Sequence, residues 1–461
     1  MIPMSLAEIR NAVSGKIIQG DPKSKITDIS IDSRTINPGD MFVAIIGERF
    51  DGHSFIPEAV SKGARALIVD HSIKAYPGVG IILVEDTTRA LQDLARYHRM
   101  LIKGLTVIGI TGSAGKTTTK DMIASVLKEK YNVTKTRGNL NNYYGLPLTL
   151  LSLDGDEEIA VLEMGMSKLG EIELLASISK PDIGVITNVG PTHLENLKTV
   201  GNVARGKREL IEGLPTNGLA ILNYDNKYVR DMKDYVEGKK VIYYGFSPEA
   251  DVYAEHIKVD EKNKNISFIA HYKTEKERIT LQKPGKHNVY NALAAIAVAR
   301  YLRVDWGGIK NGLYNIDLSS LRWDVRDLGN EITLINDTYN ANPLSMKAAI
   351  EATFDIAQER VITVLGGMLE LGDMEEKAHV DLGRYVAERN VDVLITVGEL
   401  GRLTARSAEK EGMKNVYQAD NNQEASRVLL DLIKKGDTIL VKGSRGNKME
   451  EIVKMVSSQE D

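Results

Sequence analysis

Three apolar runs between residues 105 and 190 set the frame of the chain. LTVIGIT (105–111), IAVLEMG (159–165) and IGVITNVG (183–190) lack the polar alternation of a half-exposed strand, as strands buried on both faces do. After the first run, Met122, Ile123, Val126 and Leu127 share one face of a 3.6-residue period, so a helix follows it. Buried strands joined by crossover helices predict a parallel sheet. Ahead of this unit, MFVAIIG (41–47), ALIVD (66–70) and IILVED (81–86) read as strands, with helical patterns at 55–62 and 88–101. Behind it, DVYAEHIKV, NISFIAHY and ERITLQ, all between 251 and 282, predict a small antiparallel appendage, and 287–302 a buried helix. From about 314 the pattern alternates, with strands at 331–337, 361–365, 391–397 and 437–442 and helices at 344–356, 379–389 and 402–411. That alternation predicts a doubly wound, Rossmann-like sheet, without the G-x-G-x-x-G turn of a dinucleotide site. The expected fold is α/β in three domains: a small mixed α/β unit (1–104), a central P-loop parallel sheet (105–313) and the Rossmann-like unit (314–461). No repeats interrupt it.

Composition narrows the class. With 461 residues, 43% apolar and 26% charged, a net charge of −4 and a pI near 6.2, the chain suits a globular protein and shows no sign of a nucleic-acid or membrane-surface partner. There is no cysteine, which excludes disulfides, thiol nucleophiles and thiolate metal sites and accords with a reducing compartment. The N-terminal MIPMSLAEIRNAV has no basic head before an apolar stretch, and the run 292–299 falls short of the roughly 20 residues a membrane span needs. A cytoplasmic chain without membrane insertion is expected.

The chemistry begins at TGSAGKTT (111–118), between a buried strand and a helix. A polyphosphate needs close backbone N–H groups, a cation and a hydroxyl for Mg²⁺. Gly112 and Gly115 permit the turn through Ser113 and Ala114, Lys116 supplies the charge, and Thr117, followed by Thr118, supplies the hydroxyl. The strict G-x-x-x-x-G-K-[ST] spacing is not met, since Ile110 stands where the first glycine belongs; what remains is G-x-x-G-K-T. A nucleotide site is expected, though a phosphate loop alone names no reaction. Glu163 ends the second buried strand, where parallel sheets place their ligand crevice and where a carboxylate suits Mg²⁺. His193 follows the third strand in ITNVGPTHLE, and Lys207 lies in ARGKREL. Alone, each has a plain reading: a solvated strand end, a structural loop histidine and a solvated helix lysine.

Taken together, TGSAGKTTT, LEMG, ITNVGPTHLE and a lysine 14 residues beyond the histidine resemble the central ATPase domain of the Mur ligases, which build the peptide on UDP-N-acetylmuramic acid. The resemblance implies ATP and two Mg²⁺ sites, one held by Thr117 and Glu163 and a second involving His193. It also implies that Lys207 is a carbamate formed with CO₂, which turns an ammonium into an oxygen ligand for a hard cation. Asn291, Arg322 and Asp337 would join the phosphate loop in binding ATP, with Lys116, Glu163, His193 and Lys207 as the catalytic set.

TRGNLNNYYGLPLTLL (136–151), INDTYNANPLSMKAAI (335–350), VLGGMLELG (364–372) and LVKGSRGNKMEE (440–451) resemble the member of that family that adds D-alanyl-D-alanine to a UDP-muramoyl tripeptide. By that likeness Asn139, Asn141, Asn142, Asn340, Asn342, Lys442 and Arg445 would meet substrate, with Tyr339 beside them. Asn139 and its neighbours read equally well as turn chemistry. IDSRTINPGDMFVAIIGERFDGH (31–53) resembles the family's UDP-substrate module, with Ser33 and Arg34 near the diphosphate. Asp324 stands where the family more often has glutamate. The implied activity is an ADP-forming amide ligation through an acyl phosphate, by a chain acting as a monomer. A sister ligase adding the third amino acid, a folylpolyglutamate synthase and a non-catalytic P-loop protein that binds UDP-sugar peptides remain alternatives. Hinges are expected near 104 and 314, so that the third unit can swing in and exclude water.

Overall fold

The computed structural model describes residues 1–316 and 321–458. Three principal sheets follow one another along the chain. The first has five strands in the order Lys16–Gln19, Gly80–Leu83, Ala66–Val69, Met41–Val43 and Ile29–Ser30, antiparallel only at the first pairing. The helix Thr87–Leu101, capped by Asp86, leads away from it.

The central sheet has nine strands, of which seven run parallel: Val133–Lys135, Ile159–Glu163, Thr106–Thr111, Ile183–Ile186, Leu219–Asn223, Lys240–Gly245 and Val252–Asp260. Asn265–Tyr272 and Glu275–Leu281 then add antiparallel. The segment expected as a small antiparallel appendage is antiparallel within itself and extends this sheet. Tyr244 and Gly245 pair in parallel with Val252 and Tyr253, and Ile266, Phe268, Ala270, Ile279 and Leu281 are buried in the same core. Over that core lies the helix Lys286–Tyr301, whose run from Ala292 to Ala299 is wholly buried, as a helix that is apolar all round must be. It packs on the helix Lys116–Leu127.

The third sheet has six strands in the order Asp324–Asp327, Thr333–Asp337, Thr438–Lys442, Val361–Leu365, Val393–Val397 and Val416–Ala419, parallel except at the first pairing. Asp324–Asp327, Val416–Ala419 and the helices Asn422–Leu432 and Glu450–Ser457 go beyond the elements expected from sequence. The two strands are short and partly polar, and the helices carry narrow apolar faces. No helix among the described residues is long and apolar enough to cross a membrane.

In the central sheet the chain fills one side of Thr106–Thr111 with Val133–Lys135 and Ile159–Glu163, then crosses to place Ile183–Ile186 on the other. Strand order reverses there, so a crevice opens at the carboxyl ends of these strands.

Candidate active site

The phosphate loop sits in that crevice. Gly112 has φ of +158° and Gly115 of +81°. A Cβ on Gly112 would stand 1.8 Å from Thr187 Oγ1, and one on Gly115 would stand 2.7 Å from Asn291 Oδ1, so both positions require glycine. The helix begins at Lys116, and the N–H groups of its first turn have no carbonyl behind them and face an anion site. The loop is braced from behind: Ala114 N–H donates to Asn188 Oδ1 (2.9 Å), while Asn188 Nδ2 (3.1 Å) and Thr187 Oγ1 (2.6 Å) both donate to Ala114 O. Sequence reasoning misses Asn188, although it lies inside ITNVGPTHLE; nothing in its spacing distinguishes it from a strand-end asparagine.

Lys116 Nζ folds back to donate to Gly112 O at 2.9 Å. Burial lowers its pKa, nearby Glu163 raises it and Arg322 lowers it further. Thr117 Oγ1 donates to Glu163 Oε2 at 2.8 Å, and Asn141 Nδ2 donates to Glu163 Oε1 at 2.9 Å. Thr117 and Glu163, 46 residues apart, are thus joined, and Asn141 orients the carboxylate. Asn142 acts locally instead. Its Oδ1 accepts from the N–H groups of Tyr144 and Gly145 and starts the helix Gly145–Leu151. Asn139 is exposed, and its carbonyl accepts from Asn141 N–H. Both residues thus make turn contacts, which the sequence reading allowed beside a substrate role.

Lys207 departs most from its plain reading. It is 2% exposed, on the inner face of the helix Val200–Glu212, and among the described residues it has no hydrogen-bond or ion-pair partner. Burial first, and then the charge of Lys116, push its pKa well below the ordinary lysine value. His193 has a positive φ of 53°, and its Nδ1 lies 2.5 Å from Glu370 Oε2. The contact with His193 holds the Glu370 carboxyl below its usual range.

The third sheet closes the crevice. Asn342 Oδ1 accepts from Ser345 N–H and caps the helix Pro343–Phe354, while Asn342 Nδ2 donates to Ser113 O at 3.2 Å. Lys442 and Asp337, neighbours in register on adjacent strands, form a buried ion pair, and Lys442 Nζ also donates to Asn340 O at 3.0 Å. The Arg322 guanidinium lies over the Tyr339 ring at 4.1 Å. Near His193 the approach is backbone to backbone: Glu195 N–H donates to Glu370 O at 3.3 Å. A Cβ on Gly372, where φ is +52°, would stand 2.9 Å from Glu195 Cα.

Between the central and third sheets lies a cleft of about 380 Å³ lined by residues 113–118, Asn291, Arg322, Asp337, Asn340, Asn342 and Lys442. Its far wall, Asn223, Asp225, Tyr244, His287 and Tyr290, has no counterpart among the residues expected from sequence. These side chains come from four separate elements, and no local motif marks them. Burial pushes the pKa of His287 down to about 4, so it is neutral there. Glu163, His193 and Lys207 do not line the cleft. Neither do Ser33, whose hydroxyl donates to Glu58 at 2.6 Å, nor Arg34, paired with Asp32 on the surface. Outside the cleft, exposed Arg445 pairs with Glu450 at 3.0 Å and half-buried Asp324 with Arg326 at 2.9 Å.

A glycine loop at a switch point, with a buried lysine, a hydroxyl and a carboxylate behind it, defines a P-loop nucleotide-using protein. The chain belongs to the Mur ligase family: the family's catalytic domain matches residues 25–99, the Mur ligase middle domain 110–299, and the Mur ligase glutamate ligase domain 321–445. The UDP-N-acetylmuramoyl-tripeptide–D-alanyl-D-alanine ligase of Bacillus subtilis (strain 168) is 38% identical over 458 residues, 98% of each chain. Among solved structures, MurF from Acinetobacter baumannii matches with a TM-score of 0.92 and 32% identity over 99% of both chains. MurF ligase from Thermotoga maritima in complex with ADP matches with a TM-score of 0.82 and 31% identity, over 94% of this chain and 97% of that one.

Proposed function

We propose that this chain uses ATP to join D-alanyl-D-alanine to UDP-N-acetylmuramoyl tripeptide, an ADP-forming amide ligation in peptidoglycan precursor synthesis. One observation carries the reading most directly: the phosphate loop and the polar ends of the third sheet meet across one cleft, tied by the Asn342–Ser113 hydrogen bond. ATP and an amine substrate can then share a water-poor space. End-to-end likeness to ligases of that name supports the choice of substrates.

A carboxylate is a poor electrophile toward an amine. Its oxygen attacks the γ-phosphorus of ATP, the bond to the β-phosphate oxygen breaks, and ADP leaves an acyl phosphate. The amine of D-alanyl-D-alanine attacks the acyl carbon, phosphate departs and the amine loses a proton. In this reading Lys116 leaves Gly112 O to meet the transferred phosphoryl group, and the N–H groups of the first helical turn hold the phosphates. Arg322, Asn291 and Asp337 line the nucleotide side; Asn340, Asn342 and Lys442 line the amine side. Residues 1–104, with Ser33 and Arg34, take the UDP end, residues 105–313 the ATP, and residues from 314 onward the dipeptide.

The donor set fits Mg²⁺. Thr117 and Glu163 offer oxygen side by side, as a hard cation prefers. Lys207, buried without a partner, is held toward its neutral amine, the form that adds CO₂, and a carbamate there would offer oxygen ligands to a hard cation, with His193 as a further ligand. Two Mg²⁺ ions would neutralise charge on the transferred phosphoryl group. We take the chain to work as a cytoplasmic monomer, and sedimentation of the purified protein checks the oligomeric state. ADP release tests the whole reading: with UDP-muramoyl tripeptide it should require D-alanyl-D-alanine and be negligible with single amino acids. Equal turnover with lysine or diaminopimelate on the dipeptide substrate would refute it.

A further inference from the structure

The first sheet carries a cluster of side chains that no step above uses. His53 lies in the short turn Gly52–Phe55, and Asp70 and His71 follow the strand Ala66–Val69 directly. The two imidazoles lie 4.1 Å apart between ring centres, tilted by 34°. Asp70 Oδ1 sits between them, 2.7 Å from His71 Nδ1 and 3.4 Å from His53 Nε2. One donor atom from each of the three residues falls within 4.8 Å of the other two.

The protonation of His53 follows from its other neighbour. Asp51 Oδ1 lies 2.7 Å from His53 Nδ1, and an ionised carboxylate only accepts, so Nδ1 carries the proton. Nε2 then presents a lone pair toward the Asp70 carboxylate, with only the Asp70 N–H near it at a long 3.4 Å. His53 Nε2 and Asp70 Oδ1 are thus two acceptors facing each other, while His71 Nδ1 by the same rule donates to Asp70 Oδ1; a cation between the three would replace that proton and open the His71–Asp70 pair beyond 2.7 Å. The Asp51 contact is also what a metal-bound histidine needs on its far side, fixing tautomer and ring orientation. Asp51 is itself held, since it accepts from His53 N–H at 2.9 Å and caps the turn. A tetrahedral ion with bonds of about 2.0 Å sets its ligand atoms about 3.3 Å apart, close to the His53–Asp70 separation.

We propose that His53 Nε2, Asp70 Oδ1 and His71 Nδ1 bind one divalent transition-metal ion of the Zn²⁺, Co²⁺ or Ni²⁺ class, with water completing its shell. Two imidazoles and one carboxylate select such ions over Mg²⁺, which prefers oxygen throughout. His53 and Asp70 are largely enclosed, while His71 is half exposed and leaves a way in. The ion would tie the end of the strand Ala66–Val69 to the turn that leads into the helix Ile56–Ser61, whose Glu58 holds Ser33.

The test uses the whole chain in excess Mg²⁺, which occupies any all-oxygen site, titrated with Co²⁺ and read by its visible absorption bands. One equivalent should bind saturably, and Zn²⁺ should displace it. His71→Ala, a change at a half-exposed position, should weaken binding of this equivalent at least tenfold, and should do so equally in a His193→Ala background, where the second proposed Mg²⁺ site offers no imidazole. Equal Co²⁺ uptake by wild type and His71→Ala, or no saturable uptake by the wild type, would overturn the site and leave the proposed ligase reaction untouched.

Discussion

Lys207 and Lys442 are both 2% exposed, one on a helix behind the phosphate loop and the other at a strand end of the third sheet. Their surroundings are opposite. Lys442 meets the Asp337 carboxylate and the Asn340 carbonyl, so its charge is matched where it lies. Lys207 meets no anion among the described residues and has the cationic Lys116 nearby. A buried charge must be paired or given up. At Lys442 the pair makes an anchor; at Lys207 burial without a partner shifts the balance toward the neutral amine. Burial alone therefore says little about a lysine. The absence of a partner is what sets Lys207 apart.

The strongest way to break this comparison is to remove Lys207. If its amine is converted to an oxygen ligand, Lys207→Ala should be nearly inactive while still binding ATP, and a short added carboxylic acid should restore part of the turnover. Wild-type turnover in the alanine variant would return Lys207 to an inert core lysine. Lys116 should behave differently. As a group stabilising charge in transit, its replacement by alanine should lower kcat by ~10²–10³, with no rescue by carboxylic acids. A folded variant with near-normal kcat would remove Lys116 from the phosphoryl step.

On stability the order reverses. Lys442→Met strands the Asp337 carboxylate at the cleft wall and should cost about 3 kcal/mol by denaturant unfolding, whereas Lys207→Met removes a group that has no partner to lose and should not destabilise the fold. Equal losses at the two positions would dissolve the contrast. Its pH dependence sharpens it. The unfolded chain keeps Lys207 protonated up to about its ordinary value of 10.5, while the folded chain releases that proton at lower pH. In that window the unfolded state binds more protons, so stability rises with pH. In CO₂-free buffer the wild type should gain stability over Lys207→Met as pH rises toward about 10. A flat difference would mean that Lys207 is charged in the fold. The smallest effect belongs to Asn141→Ala, which removes one of two side-chain hydrogen bonds to Glu163 and should cost about 1 kcal/mol, less than tenfold in kcat. An unchanged kcat would make the Asn141 contact incidental.

The parallel strands and the phosphate loop are legible in sequence because each is a local signal: an apolar run, then glycines, lysine and threonine within eight residues. Glu163 can be placed because the end of a buried parallel strand has a fixed relation to the crevice. The strands from Val252 to Leu281 read as a small antiparallel appendage, since the parallel pairing of Val252–Asp260 with Lys240–Gly245 is a tertiary event that periodicity does not record. Lys207 looks like a solvated helix lysine because its spacing does not show that the inner face of its helix packs against the core. For the same reason the wall formed by Asn223, Tyr244, His287 and Tyr290 escapes a sequence reading, and so does Glu370, which meets His193 only when the third sheet closes on the second.

That last junction is packed at the level of the main chain. Where Gly372 backs onto Glu195 there is no side chain on the glycine to rotate away, and the facing atom is main chain. Any side chain at 372 would act as a shim between the central and third sheets, so the spacing of the two cleft walls depends on one position remaining glycine.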